Sequence, residues 1–176
     1  MQTQNTNLGL SGKFIFSDCG LVINPTEDDL VEIVLESYDS FKKLLNEEPK
    51  IALLSYSTLD DIKDENVIKL QNVVRRVKEI NNNINIDGQL QLDAAIIEDV
   101  AKIKAPNSSV AGKANVLIFP NLESGNIAYK IAERFGNMTA LGPITQGMDK
   151  PVNDLSRGCS VDDIVGVIAI TCIQSM

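Results

Sequence analysis

Histidine is absent from the 176 residues. That removes His-ligated metal sites, Ser-His-Asp and Cys-His nucleophilic catalysis, and a histidine pH switch. Cysteine is scarce: Cys19, Cys159 and Cys172 stand at irregular spacing with no CxxC pair. An odd set of this kind argues for a reducing compartment and against a disulfide framework or a zinc site. Positive charge is also short, with 16 Lys and Arg against 24 Asp and Glu, for a formal net charge of -8. The densest basic group, Arg75, Arg76 and Lys78, reads as solvated decoration of a helix, so neither nucleic acid nor an anionic membrane is an expected partner. No apolar run approaches the ~20 residues of a membrane span. The polar start Met1 to Asn7 leads into no apolar stretch, so no signal peptide is read there, and a cytoplasmic location is expected. Phosphate-cradling glycine loops are missing too: neither GxGxxG nor GxxxxGK[ST] occurs, and Gly112-Lys113 stands after a loop and before a strand.

What is present is an alternation of short apolar runs and amphipathic segments. Lys13 to Ser17 reads as a buried strand, and Asn24-Pro25 as a turn. Thr26 with Asp29 three residues on forms a capping box for a helix ending near Asn46, its stripe made by Leu30, Ile33, Val34, Ser37, Tyr38, Phe41, Leu44 and Leu45. Lys50 to Tyr56 is a strand of the buried parallel type. A second helix is expected over Glu65 to Ile80, stopped by Asn81-Asn82-Asn83. Ile84 to Asp87 is a short alternating strand that Gly88 breaks, and Asp93 caps a short helix from Ala94 to Lys102. Ala114 to Phe119 is a strand, a helix follows to about Phe135, and Thr139 to Leu141 is a short strand. Val161 to Ile173 is a final helix, apolar over much of its circumference. The implied fold is α/β: a three-layer, Rossmann-like sandwich with a mainly parallel sheet of about four to six strands. The chain divides into a flexible leader (1–12), the α/β domain (13–141), and a loop with the C-terminal helix (142–176).

Residues 142–158 stand apart. Gly142, Gly147, Gly158, Pro143 and Pro151 interrupt a polar stretch with neither helical nor strand periodicity, which reads as a long ordered loop, a frequent place for function.

The run Lys150-Pro151-Val152-Asn153-Asp154-Leu155-Ser156-Arg157-Gly158, with Gly142-Pro143 and Gly147 before it, resembles the C-terminal signature of phosphate acetyltransferases and their phosphate butyryltransferase relatives. Ile86 to Ala95, Lys104 to Ser108, Ala111 to Asn115, and Phe119 to Leu122 with Gly125-Asn126 are similar to the same family. The likeness runs from about Phe14 onward, is closer to the acetyl than to the butyryl enzymes, and corresponds to the second half of a usual member. It implies an isocitrate/isopropylmalate dehydrogenase-like fold and a final helix that returns to the first domain. The implied reaction moves acetyl between acetyl phosphate and coenzyme A, with coenzyme A as substrate and no permanently bound cofactor or metal. A thiol must lose its proton to attack, so a base is needed. The resemblance assigns it to Asp163, with Ser156 hydrogen-bonding the reacting group and Arg157 holding phosphate through its planar fork. It places Ser57, Thr58, Lys113, Asn126 and Lys150 toward coenzyme A. The expected partners are acetyl phosphate, coenzyme A or small anions, a homodimer mate, and a separately encoded first half.

Other readings of these residues stay open. Ser160 and Asp163 also fit a capping box, Arg157 could pair with Asp154, and Ser156 could turn the chain. Cys159 is read as passive, and Asn153 and Asp154 as loop scaffolding. Where family members carry a basic, glycine-containing stretch, this chain has Leu59-Asp60-Asp61, two acids that would repel the phosphates of coenzyme A. That substitution motivates the alternative of a truncated, non-catalytic or partner-dependent domain acting in assembly or regulation.

Overall fold

The structure, a computed structural model, describes residues 1–176. Its elements are β1 (Ile15–Ser17), α1 (Glu27–Leu45), β2 (Lys50–Leu54), α2 (Glu65–Ile80), β3 (Asn85–Leu90), α3 (Leu92–Ile96), α4 (Glu98–Lys104), β4 (Val116–Ile118), α5 (Leu122–Arg134) and α6 (Val161–Gln174). The four strands form one sheet in the order β1-β4-β2-β3, every pair parallel. No helix is long and apolar enough to cross a membrane.

Alternation along the two central strands divides the core. Ile51, Leu53, Val116 and Ile118 turn to one face, where they pack with Leu30, Val34 and Phe41 of α1 and Leu70, Val73 and Val77 of α2. Ala52, Leu54 and Leu117 turn to the other, against Ala95 of α3, Ala101 of α4 and Ala128 of α5. Side chains buried on both faces explain why these strands read as continuous apolar runs.

The helix ends follow their sequence signals. Thr26 accepts a hydrogen bond from Asp29 N, while the Asp29 carboxylate accepts one from Thr26 N at 2.8 Å, closing the capping box. Asn46, in the left-handed region at φ 52°, ends α1. Asp64 accepts from the backbone N–H groups of Asn66 and Val67 and starts α2.

Three local expectations change. Gly88 does not break its strand: β3 runs through it, and the ladder with β2 shifts register beside it, between Leu53 and Leu54. A Cβ on Gly88 would lie 2.7 Å from the Leu53 Cβ, so the glycine is there to let two strands approach. The helix expected over Ala94 to Lys102 is two helices split at Ile97, whose backbone is extended. Asp93 lies in the first turn of α3 rather than capping it; its carboxylate accepts from Ala94 N and pairs with Lys104 at 2.8 Å. Thr139 to Leu141 forms no strand; Thr139 makes an isolated antiparallel bridge with Gln2. That bridge, with the backbone bond from Phe14 N to Met1 O, ties residues 1–12 to the domain.

The last helix lies against α1. Leu141 packs on Gly166, and Lys43 Nζ donates to the backbone oxygen of Gln174. Of the α6 side chains only Val167 is buried, while Val161, Val165 and Ile168 stay exposed.

Candidate active site

The carboxyl ends of the parallel strands gather the loops after β1, β2, β3 and β4. After β1 the Asp18 carboxylate accepts from the backbone N–H groups of Gly20 (2.7 Å), Leu21 (3.1 Å) and Val22 (2.6 Å), curling the loop back on itself. Asn121 accepts from Ser124 N and caps α5. Gly125 lets that helix meet the β1 loop, because a Cβ there would stand 2.2 Å from the Asp18 carbonyl oxygen. Asn126 Nδ2 donates to the Cys19 carbonyl at 3.0 Å, and its Oδ1 accepts from Lys130 Nζ at 2.6 Å. Both ends of the Asn126 amide are thus engaged within the chain. Burial pushes the Cys19 thiol up to about 12, with the neighbouring Asp18 charge adding to the effect.

After β2, Thr58 Oγ1 accepts from Gln91 N at 3.0 Å and donates to Gln91 Oε1 at 3.3 Å. Lys104 Nζ donates to Gln91 Oε1 at 2.9 Å and to Asp93 Oδ2 at 2.8 Å, joining the loop after β2, the start of α3 and α4 into one polar group. Its hydrogen bond to Asp93 is the main cause holding that carboxyl below its ordinary value. The motif that contains Lys104 gives it no role, and its partner Asp93, eleven residues earlier, reads locally as a helix cap. Ser57 is buried beside Thr58, and its Oγ has no hydrogen-bond partner. Asp60 and Asp61 follow, both exposed.

Two knots hold the loop of residues 142–158. Gln146 Nε2 donates to Ser37 Oγ at 3.0 Å and to Ser17 Oγ at 3.2 Å, while its Oε1 accepts from Ser40 Oγ at 3.3 Å. Asn153 Oδ1 accepts from Thr145 N at 2.8 Å, and its Nδ2 donates to Thr171 Oγ1 and Gln174 Oε1 on α6. Asn153 is the scaffold expected of it, and Asp154 likewise accepts from Leu155 N. Gln146 was missed; its partners lie more than a hundred residues away, and nothing in its local sequence announces them.

Beyond the second knot the loop reaches solvent. Ser156 and Arg157 are exposed. Gly158 N approaches Ser156 Oγ at 3.4 Å, and Cys159 N donates to the Ser156 carbonyl. Arg157 makes no ion pair, with Asp154 or any other acid. Asp163 sits at the third position of α6, where its Oδ2 accepts from both the N–H and the hydroxyl of Ser160 at 2.8 Å. Those bonds, backbone first, hold its carboxyl below the ordinary value, and Arg134 lowers it further. The capping-box reading of Asp163 therefore holds, and its Oδ1 remains without a protein partner.

Of the residues expected to share a site, Ser57 and Thr58 are adjacent at the end of β2, Asn126 lies on α5, and Ser156, Arg157 and Asp163 follow one another around the α6 start. Lys150 is exposed on the loop. Lys113 stands apart: it precedes β4, at the amino ends of the strands, and lines a hollow with Glu47, Glu48 and Lys50. An anion at the start of α6 would meet the carboxylates of Asp162 and Asp163, so Arg157 is the stronger attraction.

This α/β architecture is shared with solved phosphotransacylases. A phosphotransacetylase from Streptococcus pyogenes superposes with a TM-score of 0.86 at 46% identity, over 92% of this chain and 49% of that one. The EutD phosphotransacetylase from Staphylococcus aureus does so at 0.87 and 41%, over 96% of this chain and 52% of that one. The chain belongs to the family described as Phosphate acetyl/butaryl transferase, whose profile matches residues 1–172, including the leader. The phosphate acetyltransferase of Acetivibrio thermocellus is 52% identical over 175 residues, which cover 99% of this chain and 53% of that protein. The chain thus spans about half the length of the curated relatives it matches.

Proposed function

We propose that the chain carries the acyl-transfer residues of a phosphate acetyltransferase, acting between acetyl phosphate and coenzyme A. The observation that carries this reading is Arg157: an exposed guanidinium with no carboxylate partner, next to Ser156, on a loop that Gln146 and Asn153 hold in place. In the proposed step Arg157 holds the phosphate and Ser156 hydrogen-bonds the acetyl oxygen. Asp163 takes the thiol proton at its free Oδ1. The sulfur attacks the acetyl carbonyl carbon, the C–S bond forms, the C–O bond breaks and inorganic phosphate leaves. A carboxylate held low by Ser160 is a weak base in the open chain. Cover from the sequence that makes up the other half of the relatives' length would desolvate it and raise its basicity. Lys150, Ser57 and Thr58 are the candidates for contact with coenzyme A; Lys113, at the amino ends of the strands, is left out of this group.

The second reading, a domain acting in assembly or regulation, is favoured by the exposed acids Asp60 and Asp61 beside Ser57 and Thr58. One assay separates the two. The chain is joined to the first half of the Acetivibrio thermocellus enzyme, and coenzyme A-dependent consumption of acetyl phosphate is followed. Turnover well above an S156A/R157A control supports acyl transfer; a folded fusion no faster than that control supports the second reading.

A further inference from the structure

We propose that Gln174, the last residue of α6, is a positioning residue that holds the Ser156–Arg157 segment along that helix, a role that rests on the acyl-transfer reading and adds a residue to it. Three side and main chains close a ring. Thr145 N donates to Asn153 Oδ1 at 2.8 Å, Asn153 Nδ2 donates to Gln174 Oε1 at 2.6 Å, and Gln174 Nε2 donates to the Thr145 carbonyl at 3.1 Å. The second hydrogen of Asn153 Nδ2 goes to Thr171 Oγ1 at 2.8 Å, and that hydroxyl donates to the Val167 carbonyl at 2.7 Å. Lys43 Nζ on α1 donates to the backbone oxygen of Gln174. Each amide is engaged at both ends, so neither can turn over. A flipped Gln174 would set its Oε1 against the Thr145 carbonyl oxygen and its Nε2 against Asn153 Nδ2.

The ring fixes one end of a strap. Residues 154–159 run from Asn153, held beside Thr171 and Gln174, to Ser160, held at the start of the same helix by its capping box with Asp163. Ser160 and Thr171 are separated by ~16 Å of helical rise. The chain from Asn153 to Ser160 reaches at most about 25 Å when fully extended. Part of that slack is taken up by the turn in which Cys159 N donates to the Ser156 carbonyl. The strap therefore lies back along α6, carrying Ser156 and Arg157, while the helix carries Asp163. Opening the ring leaves Ser160 as the anchor on α6, with the next hold upstream at Gln146. A reacting group displaced by ~1 Å loses about 100-fold in rate.

Kinetics on the fusion with the first half of the Acetivibrio thermocellus enzyme, and amide exchange on the 176-residue chain, test this. Gln174→Glu sets a carboxylate oxygen against the Thr145 carbonyl, and Asn153→Asp sets one against Gln174 Oε1. Gln174→Leu opens the ring without adding charge. Each should lower turnover at saturating substrates by about 100-fold, with KM for coenzyme A within a few-fold of the parent. Each should also quicken exchange across residues 154–159 more than across 164–170. In N153D/Q174K an ammonium meets both the new carboxylate and the Thr145 carbonyl, and about ten-fold of the loss should return. Parent-like turnover in a folded Gln174→Leu or Asn153→Asp fusion, no recovery in the double variant, or unchanged exchange across the strap would each overturn the proposal. A parent fusion no faster than S156A/R157A sinks the acyl-transfer reading instead, and exchange in the isolated chain then decides whether the ring holds the strap.

Discussion

Gln146 fastens to Ser17 across 129 residues of sequence, its Nε2 donating to the serine hydroxyl at 3.2 Å where β1 ends. The same amide holds Ser37 at 3.0 Å, and both serines are buried. Gln146→Ala leaves those hydroxyls without this partner, an expected cost of about 1–3 kcal/mol. Urea unfolding should show the loss, and amide exchange should quicken across residues 142–158. Unchanged stability and exchange would mean that the knot does not position the loop.

The contact of Gly125 with Asp18 gives a second expectation. A methyl group placed 2.2 Å from a backbone carbonyl oxygen forces α5 away from the β1 loop. Gly125→Ala should lower stability by about 1–3 kcal/mol, the usual range for overpacking. Gly158, with nothing within 4 Å of its would-be Cβ, is the control; Gly158→Ala should change stability by less than ~0.5 kcal/mol. Thermal unfolding of the two variants side by side checks this.

Much of this fold was legible in the sequence because its signals are local. Thr26 with Asp29, and Ser160 with Asp163, sit at the helix starts they announce, and period and spacing placed the helices. What could not be read was long-range. The sheet order β1-β4-β2-β3 follows from how crossovers pack, which no single segment encodes. Gly88 was misjudged because its role is set by Leu53 on the neighbouring strand. Lys113 was grouped with residues at the opposite ends of the strands, since a motif records neighbours in sequence and not which end of the sheet they occupy. Ser156 and Arg157 are named by their signature and Asp163 by the resemblance; the hydrogen bonds from Gln146 that hold the loop carry no such local mark.

The cysteines should separate by reactivity. Cys172 is exposed, while burial pushes the Cys19 thiol up to about 12. At mildly alkaline pH, iodoacetamide should label Cys172 and leave Cys19 largely unmodified, as read by peptide mass spectrometry. Because the folded value lies above the unfolded one, the Cys19 contribution to stability is present below the unfolded value near 9 and is lost as pH rises toward 12. Early alkylation of Cys19 in the folded chain would contradict this placement.

Three carboxyls behave in the opposite sense. Asp29 and Asp163 are held low by their capping bonds, and Asp93 by Lys104. Their contribution is present above the ordinary carboxyl value and is lost as pH falls through the lowered folded values. The urea midpoint should therefore drop below pH 4, and Asp93→Asn should shrink that drop. An Asp93→Asn variant with the wild-type pH dependence would show that the Lys104 pair contributes nothing.

Binding by the isolated chain should be weak. Arg157 and Lys150 lie on the loop with Arg134 near Asp163, and Asp149, Asp154, Asp162 and Asp163 are the neighbouring charges that oppose them. Calorimetry with coenzyme A is expected to give a dissociation constant weaker than ~1 mM, or less than about 4 kcal/mol of binding. Micromolar binding that disappears on Arg157→Ala would show that the chain forms a complete site by itself.

The most direct measurement separates the two roles of Asp163, cap and base, in the fusion with the first half of the Acetivibrio thermocellus enzyme. Asp163→Asn keeps a side-chain oxygen for the Ser160 N–H, so α6 should remain folded. Turnover of acetyl phosphate with coenzyme A should nevertheless fall by about 10²–10⁴-fold, the usual contribution of a general base. Ser160→Ala removes the cap at a cost of about 1 kcal/mol in stability, and should leave turnover within a few-fold of the parent. Parent-like turnover in Asp163→Asn, with the loss appearing in Ser160→Ala instead, would contradict the assignment and leave Asp163 a structural residue.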